Sequence, residues 1–321
     1  MPSARRNAAS GWSTICVVLA IRQPPGSPRR GESRCLRSRG RGGRQVNGPA
    51  VNGLVSNLHC AAVKKIRSLH HRKGREESGL FFVEGIHIVA EAVQAGAAIM
   101  QLVVAPSLLT SRFALEVVES RRRAGVACLE VSEEVFKSLS TKEHPQGLAA
   151  VVRQQWSTLA DVCYRRELCW VALSGVQDPG NLGAILRTCD AVGAAGVILV
   201  GHTTDPYDPE AVRASMGAIF SQRVIRADLP QLAAWKAARR FQLVGTSGAA
   251  STDYRSLVYR PPLLLWMGSE QHGLSAEEMA LCDAMVRIPM VGRGDSLNLA
   301  VATGVVLYEV FNQRRATEAA A

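Results

Sequence analysis

At 321 residues the chain has room for two domains of ordinary size or one large one, and 47% apolar residues suffice for a sizeable core. No stretch approaches the roughly 18 uninterrupted apolar residues of a transmembrane helix, and eight scattered cysteines (Cys16, Cys35, Cys60, Cys128, Cys163, Cys169, Cys189, Cys282) without a C-x-x-C pair argue against zinc and a disulfide framework. The net charge of +11 points to nucleic acid only at first sight: residues 1–55 hold ten arginines and one glutamate, a net +9, so the remaining chain carries +2 and is nearly neutral. Reduced thiols in a cytoplasmic protein with no membrane partner are the simplest account.

Residues 1–55 are rich in Arg, Gly, Ser and Pro and cannot bury enough apolar surface to offset their ordering entropy. Arg5-Arg6 followed by the apolar run 15–21 has the order of a signal peptide. The run is short, however, and Arg22 follows it without a small-residue cleavage site. A disordered basic arm, or a start codon placed too far upstream, are the readings kept. Residues 56–75 contain the densest basic patch outside the arm, Lys64-Lys65-Ile66-Arg67-Ser68-Leu69-His70-His71-Arg72-Lys73-Gly74-Arg75. It is either a set of phosphate contacts or a solvated helix face.

From Gly79 strands and helices alternate. Strands are expected at 80–83, 100–104, 126–131 and 147–152, and helices at 86–95, 113–124 and 133–138. This pattern predicts a compact α/β domain over 56–153, and the mixed polarity of 154–168 reads as a linker. In a second domain, 169–313 with a tail at 314–321, strands are expected at 170–173, 196–200, 223–226, 241–245 and 263–267. Helices are expected up to Val192 and at 209–220, 229–239 and 275–282. Val197 to Val200 shows no alternation, as in a parallel strand covered on both faces, so the sheet is read as parallel and doubly covered.

In such sheets ligands sit beyond the carboxyl ends of the strands, and three loops leave strands there. The first, Gln177 to Gly183, runs into a helix carrying Arg187, whose side chain can lie back over a glycine; Arg187 is otherwise a plain surface arginine. The second, Gly268 to Leu274, offers two glycines for close backbone approach and Glu270 for a polar group. The third lies in VRIPMVGRGDSLNLAVATG, residues 286–304. There Ser296 is expected to cap a helix buried on most sides. A polar loop between a buried strand and a buried helix is either a ligand pocket or an ordinary connection. There is no G-x-G-x-x-G after a strand, no G-x-x-x-x-G-K-[ST] and no G-x-S-x-G, which speaks against a dehydrogenase, an NTPase and an α/β-hydrolase.

In content, order and spacing, DPGNLGAILRTCDAVG, LWMGSEQHGLS and RIPMVGRGDSLNLAVATG resemble the three motifs of the SPOUT superfamily. The closest resemblance is to the SpoU/TrmH family of RNA ribose 2′-O-methyltransferases. FFVEGIHIVAEAV resembles that family's N-terminal substrate-binding domain, itself similar to ribosomal protein L30e. The resemblance implies an α/β chain with a trefoil-knotted, parallel-sheet catalytic domain behind a smaller L30e-like domain. It also implies a homodimer packed through the knotted domains, and S-adenosylmethionine held by Gly268, Ile288 and Leu297.

The implied reaction is attack of a ribose 2′-hydroxyl on the activated methyl. In the family the arginine matching Arg187 assists deprotonation. A guanidinium is rarely neutral, so Arg187 is read as gripping the target phosphate and lowering the hydroxyl's pKa. Asn181, Glu270, Ser296 and Asn298 match the remaining polar positions and are expected to orient the ribose and brace the loops. Lys64, Lys65, Arg67, Arg72, Lys73 and Arg75 become expected RNA contacts. Ribosomal RNA, most specifically 23S, is the substrate read; tRNA and a non-catalytic RNA-binding role are the alternatives. One departure stands in motif two, where Gln271-His272 separate Glu270 from Gly273 and a glycine is usual.

Overall fold

The computed structural model of the protein describes residues 53–164 and 166–320. The basic arm read over 1–55 lies outside them except for its last three residues. Of these, Val55 already belongs to the fold: it donates to the Glu130 carbonyl and accepts from the Ser132 N–H, each at 2.9 Å.

The first half follows as α1 (Ala61–Ser68), α2 (Arg72–Ser78), β1 (Leu80–Glu84), α3 (Ile86–Gln94), β2 (Ile99–Val104), α4 (Arg112–Arg123), β3 (Ala127–Glu130), α5 (Glu133–Leu139) and β4 (Leu148–Arg153). Ser111 and Ser132 cap α4 and α5 through their hydroxyls, and Gly79 ends α2 in the left-handed conformation that glycine tolerates. The sheet order is β1-β4-β2-β3, with only β2 and β3 parallel.

The second half contains β5 (Trp170–Ser174), α6 (Pro179–Val192), β6 (Gly196–Val200), α7 (Pro209–Ala214), β7 (Arg223–Ala227), α8 (Leu229–Ala237), β8 (Gln242–Thr246), β9 (Thr252–Asp253), β10 (Leu263–Met267), α9 (Ala276–Ala280), β11 (Ala284–Arg287) and α10 (Leu299–Ala320). Its seven strands pair in parallel in the order β7-β6-β5-β10-β8-β11-β9. β5, β6 and β10 are buried along their whole length, as their unbroken apolar runs require. The chain winds outward from β5 to β7, then crosses to β8, and later inserts β10 between β5 and β8. That reversal makes the β5–β10 pair a topological switch point, where parallel sheets open a crevice at their carboxyl edge.

Several expectations need correction. The helix read over 209–220 is interrupted: Met216 takes a positive φ of 51° and Gly217 one of 98°, after which a short 3-10 turn covers Ala218–Phe220. The linker is docked on the sheet, because Ser157 donates to the Val224 carbonyl at 2.9 Å and Trp156 lies 4.0 Å beneath the Arg226 guanidinium. α10 continues through the expected tail as far as Ala320. Nor is α10 buried on most sides: Thr303, Val306, Leu307 and Val310 face the core while Val301 and Tyr308 are exposed.

The two halves share one continuous core. Phe81 of β1 packs on Tyr207 at 4.7 Å between ring centroids and on Phe220 at 6.2 Å. Beside it Arg75 is sealed, 1% exposed, with Nε donating to Asp205 at 2.7 Å and Nη2 to Asp208 at 3.1 Å. Its Nη1 donates to the Leu69 and His70 carbonyls, both at 3.0 Å. Cys169 and Cys189 are buried in the same core; burial pushes the Cys169 thiol up to about 12 and the Cys189 thiol well above its ordinary value. Among the described residues no helix is long and apolar enough to cross a membrane.

Candidate active site

The three loops meet where the sequence placed them, at the carboxyl ends of β5, β10 and β11. In the first, Asp178 caps α6 by accepting the Asn181 N–H at 2.6 Å, and Pro179 opens the helix with a φ already suited to it. The Asn181 side chain bridges to the other two loops. Its Nδ2 donates to Glu270 Oε1 of the second loop at 3.2 Å, and its Oδ1 accepts from Asn298 Nδ2 of the third loop at 2.9 Å. Glu270 also accepts the Gln177 N–H at 3.3 Å. Glu270, Asn181 and Asn298 therefore form one chain of hydrogen bonds across all three loops.

Asn298 has a second duty. Its Oδ1 accepts from Ala300 N at 2.9 Å and Val301 N at 3.2 Å, so it is the N-cap of α10. The expected cap, Ser296, is exposed two residues earlier and outside the helix. An asparagine can cap with its carbonyl oxygen and still donate with its amide; the serine hydroxyl lacks that reach.

The second loop is closed on itself by a two-way backbone pair between Ser269 and Gly273, both bonds 3.0 Å. A Cβ on Gly268 would stand 2.1 Å from the Gly273 carbonyl carbon, so only glycine allows this turn. Behind the loop, Trp266 Nε1 donates to Ser174 Oγ at 2.8 Å and Ser174 donates to Glu278, which ties β5, β10 and α9 together. Ile288 is half-buried and Leu297 exposed on the third loop.

Arg187 lies six residues beyond Asn181 on α6. It is exposed and makes no hydrogen bond or ion pair among the described residues. It stands apart from the network, a free guanidinium. α6 is held tightly from behind: a Cβ on Gly183 would come within 2.4 Å of the Ala211 carbonyl oxygen of α7.

The basic patch divides. Lys64, Lys65 and Lys73 are exposed, Arg67 donates to Ser138 Oγ at 3.0 Å, and Arg72 pairs with Glu76 at 2.8 Å while remaining exposed. Arg75 is withdrawn from the expected RNA contacts, because it is buried and its donors are taken by Asp205, Asp208 and two carbonyls. Gln177 and Asp178, not among the expected site residues, complete the network. The Asp-Pro pair at the head of an apolar helix was their available signal.

The SpoU rRNA Methylase family model matches residues 169–308, and a model described as the MRM3-like substrate binding domain matches 61–150. The chain is 34% identical over 253 residues to a 23S rRNA (uridine(2479)-2′-O)-methyltransferase of Streptomyces viridochromogenes, covering 77% of this chain and 87% of that protein. It belongs to the SpoU methylase family. Within that family it is also 29% identical to a 23S rRNA (guanosine(2553)-2′-O)-methyltransferase of Bacillus subtilis, over 77% of this chain and 95% of the relative. Among solved structures, the AdoMet-bound rRNA methyltransferase from Sinorhizobium meliloti superposes with a TM-score of 0.75 at 40% identity, over 81% of this chain and 97% of that one.

Proposed function

We propose that this SpoU-family chain transfers a methyl group from S-adenosylmethionine to a ribose 2′-hydroxyl of 23S ribosomal RNA. The observation that carries the reading is the hydrogen-bonded junction of Asn181, Glu270 and Asn298 at the switch point, with Arg187, unpaired among the described residues, on the helix of Asn181. Relatives named as 23S rRNA 2′-O-methyltransferases and the match to a substrate-binding domain model support the choice of RNA.

The residues fit the cofactor. Gly268 allows the tight turn of the second loop, Ile288 and Leu297 would bring apolar surface, and Glu270 would offer a carboxylate to a cationic cofactor. When bound, the cofactor supplies an electrophilic methyl group. The chain's part is positioning: the network locks three loops into one geometry, which would fix how ribose and cofactor meet. Arg187, permanently cationic and free, holds the phosphate next to the target and favours loss of the 2′-hydroxyl proton. Ser296 is assigned to the ribose.

The family resemblance supports a trefoil knot formed by the loops around 268–274 and 289–298. It also supports a homodimer packed through this half in the cytoplasm; the exposed Met290, Val291, Val301 and Tyr308 offer the apolar surface. The test is incorporation of labelled methyl from S-adenosylmethionine into ribosomal RNA and tRNA of a strain lacking the gene, with nuclease mapping. A 2′-O-methylated nucleotide in 23S rRNA is expected. Label confined to tRNA would overturn the substrate, and no label in any RNA would overturn the activity.

A further inference from the structure

A second concave site lies away from the three loops, where the two halves meet. It is a cavity of about 200 Å³ with walls drawn from both. One wall is Phe82, Val83 and Ile88, from β1 and α3; the other is Pro209, Val212 and Met216, from α7 and the turn after it. Three donors reach it without a partner among the described residues: the Lys142 ammonium, the Arg213 guanidinium and the Gln146 amide nitrogen. Lys142 Nζ stands 2.6 Å from where a Cβ on Gly85 would be, so the ammonium lies over the bare backbone of that glycine. The Glu84 carboxylate, by contrast, is engaged by Ser140 and the Thr141 N–H.

Two further features mark this cavity as built. Met216 is a large apolar residue in the left-handed region, φ 51°, and is exposed at the lip. Such a conformation is costly for a side chain of that size and persists where the surroundings hold it. The next residue, Gly217, abuts the Glu91 side chain of α3, so the turn is pressed against the opposite half. At the floor the His70 ring meets Phe82 at 5.4 Å between centroids, and burial lowers the His70 pKa, which favours the neutral ring.

Flat apolar and aromatic walls with hydrogen-bond donors and two cations at the rim match a nucleobase followed by its phosphate. We propose that this cavity receives one unstacked base of the RNA substrate, Lys142 and Arg213 taking the adjacent phosphates. The proposal rests on the reading that the substrate is RNA. The exposed Lys64 and Lys65 lie on α1, which ends at Ser68, and His70, two residues farther on, lines the cavity, so the basic run and the cavity are close in the chain. Because both halves form the walls, a base held here is registered at once against the recognition half and the methyl-transfer half.

The test uses the full chain and 23S rRNA fragments transcribed with 4-thiouridine or 6-thioguanosine. These are photo-crosslinked and the modified peptides mapped. Crosslinks within 82–88 or 213–216 are expected. Ile88→Trp, which fills the cavity, should remove them, and Lys142→Ala with Arg213→Ala should weaken RNA binding roughly tenfold at unchanged S-adenosylmethionine affinity. Crosslinks found only elsewhere, or persisting in the filled variant, would overturn the proposal. So would protection of the cavity by a ribosomal protein in place of bare RNA. Methyl transfer by the wild-type chain, measured alongside, separates the two readings: transfer without these crosslinks sinks the cavity alone.

Discussion

Two polar clusters organise this molecule, and they are built in opposite ways. At the junction of the halves, Arg75 and Asp205 are closed off while Asp208 is partly exposed, and four of the arginine's N–H groups are spoken for. At the loop cluster, Asn181, Glu270 and Asn298 use only part of their capacity and lie at or near the surface, and the helix that carries Asn181 also carries Arg187, which has no partner among the described residues. A saturated cluster gains nothing from a ligand and holds elements in place. One with spare capacity facing solvent is where a ligand finds its partners. The same residue type, arginine, is a fastener at position 75 and, in the proposed function, a tool at position 187.

The largest expected effect tests the tool. Arg187→Ala should lower methyl transfer about 10²-fold or more with cofactor affinity nearly kept, measured by single turnover and calorimetry. Normal turnover with weakened cofactor binding would move Arg187 out of the chemistry. For the fastener, Arg75→Met should cost about 3 kcal/mol in denaturant unfolding, since it takes from Asp205, which is 4% exposed, its closest cation and leaves only Arg226 at 3.9 Å. Adding Asp205→Leu should restore part of that loss; if it does not, the pair is not the source of the cost.

Gly183→Ala probes the contact that joins the two clusters through α7 and α6. Its methyl would press on the Ala211 carbonyl, and a loss of about 1–3 kcal/mol is expected in thermal unfolding. The mildest change separates structure from chemistry at the loops. Asn298→Asp keeps an acceptor for the cap of α10 but removes the donor to Asn181, so stability should hold within about 0.5 kcal/mol while methyl transfer falls. Equal loss in both would mean that the bridge only braces the helix.

Much of this was legible beforehand, for identifiable reasons. Strands such as 196–200 and 263–267 are unbroken apolar runs bounded by turn residues, and both were found to the residue. The convergence of three loops followed from where their strands end. What escaped depended on partners distant in the chain. Arg75 looks like one more cation in a basic run, because nothing local announces Asp205 and Asp208, some 130 residues away. Ser296 and Asn298 are both good caps, and the position of Asn181 on the neighbouring α6, distant in the chain, favours the second. The break at Met216 had one local signal, Gly217, a residue that commonly ends helices, set among apolar residues that read as helix.

The buried thiols of Cys169 and Cys189 have a use in the laboratory. Alkylating reagents attack the thiolate, and at neutral pH burial leaves these two almost none of it, whereas Cys60, Cys128 and Cys163 are partly exposed. The native sequence thus contains a two-speed labelling clock, with fast sites that report reagent access and slow ones that tick only when α6 lifts from its sheet. Any ligand that clasps the loops at the head of that helix should slow the second hand and leave the first untouched.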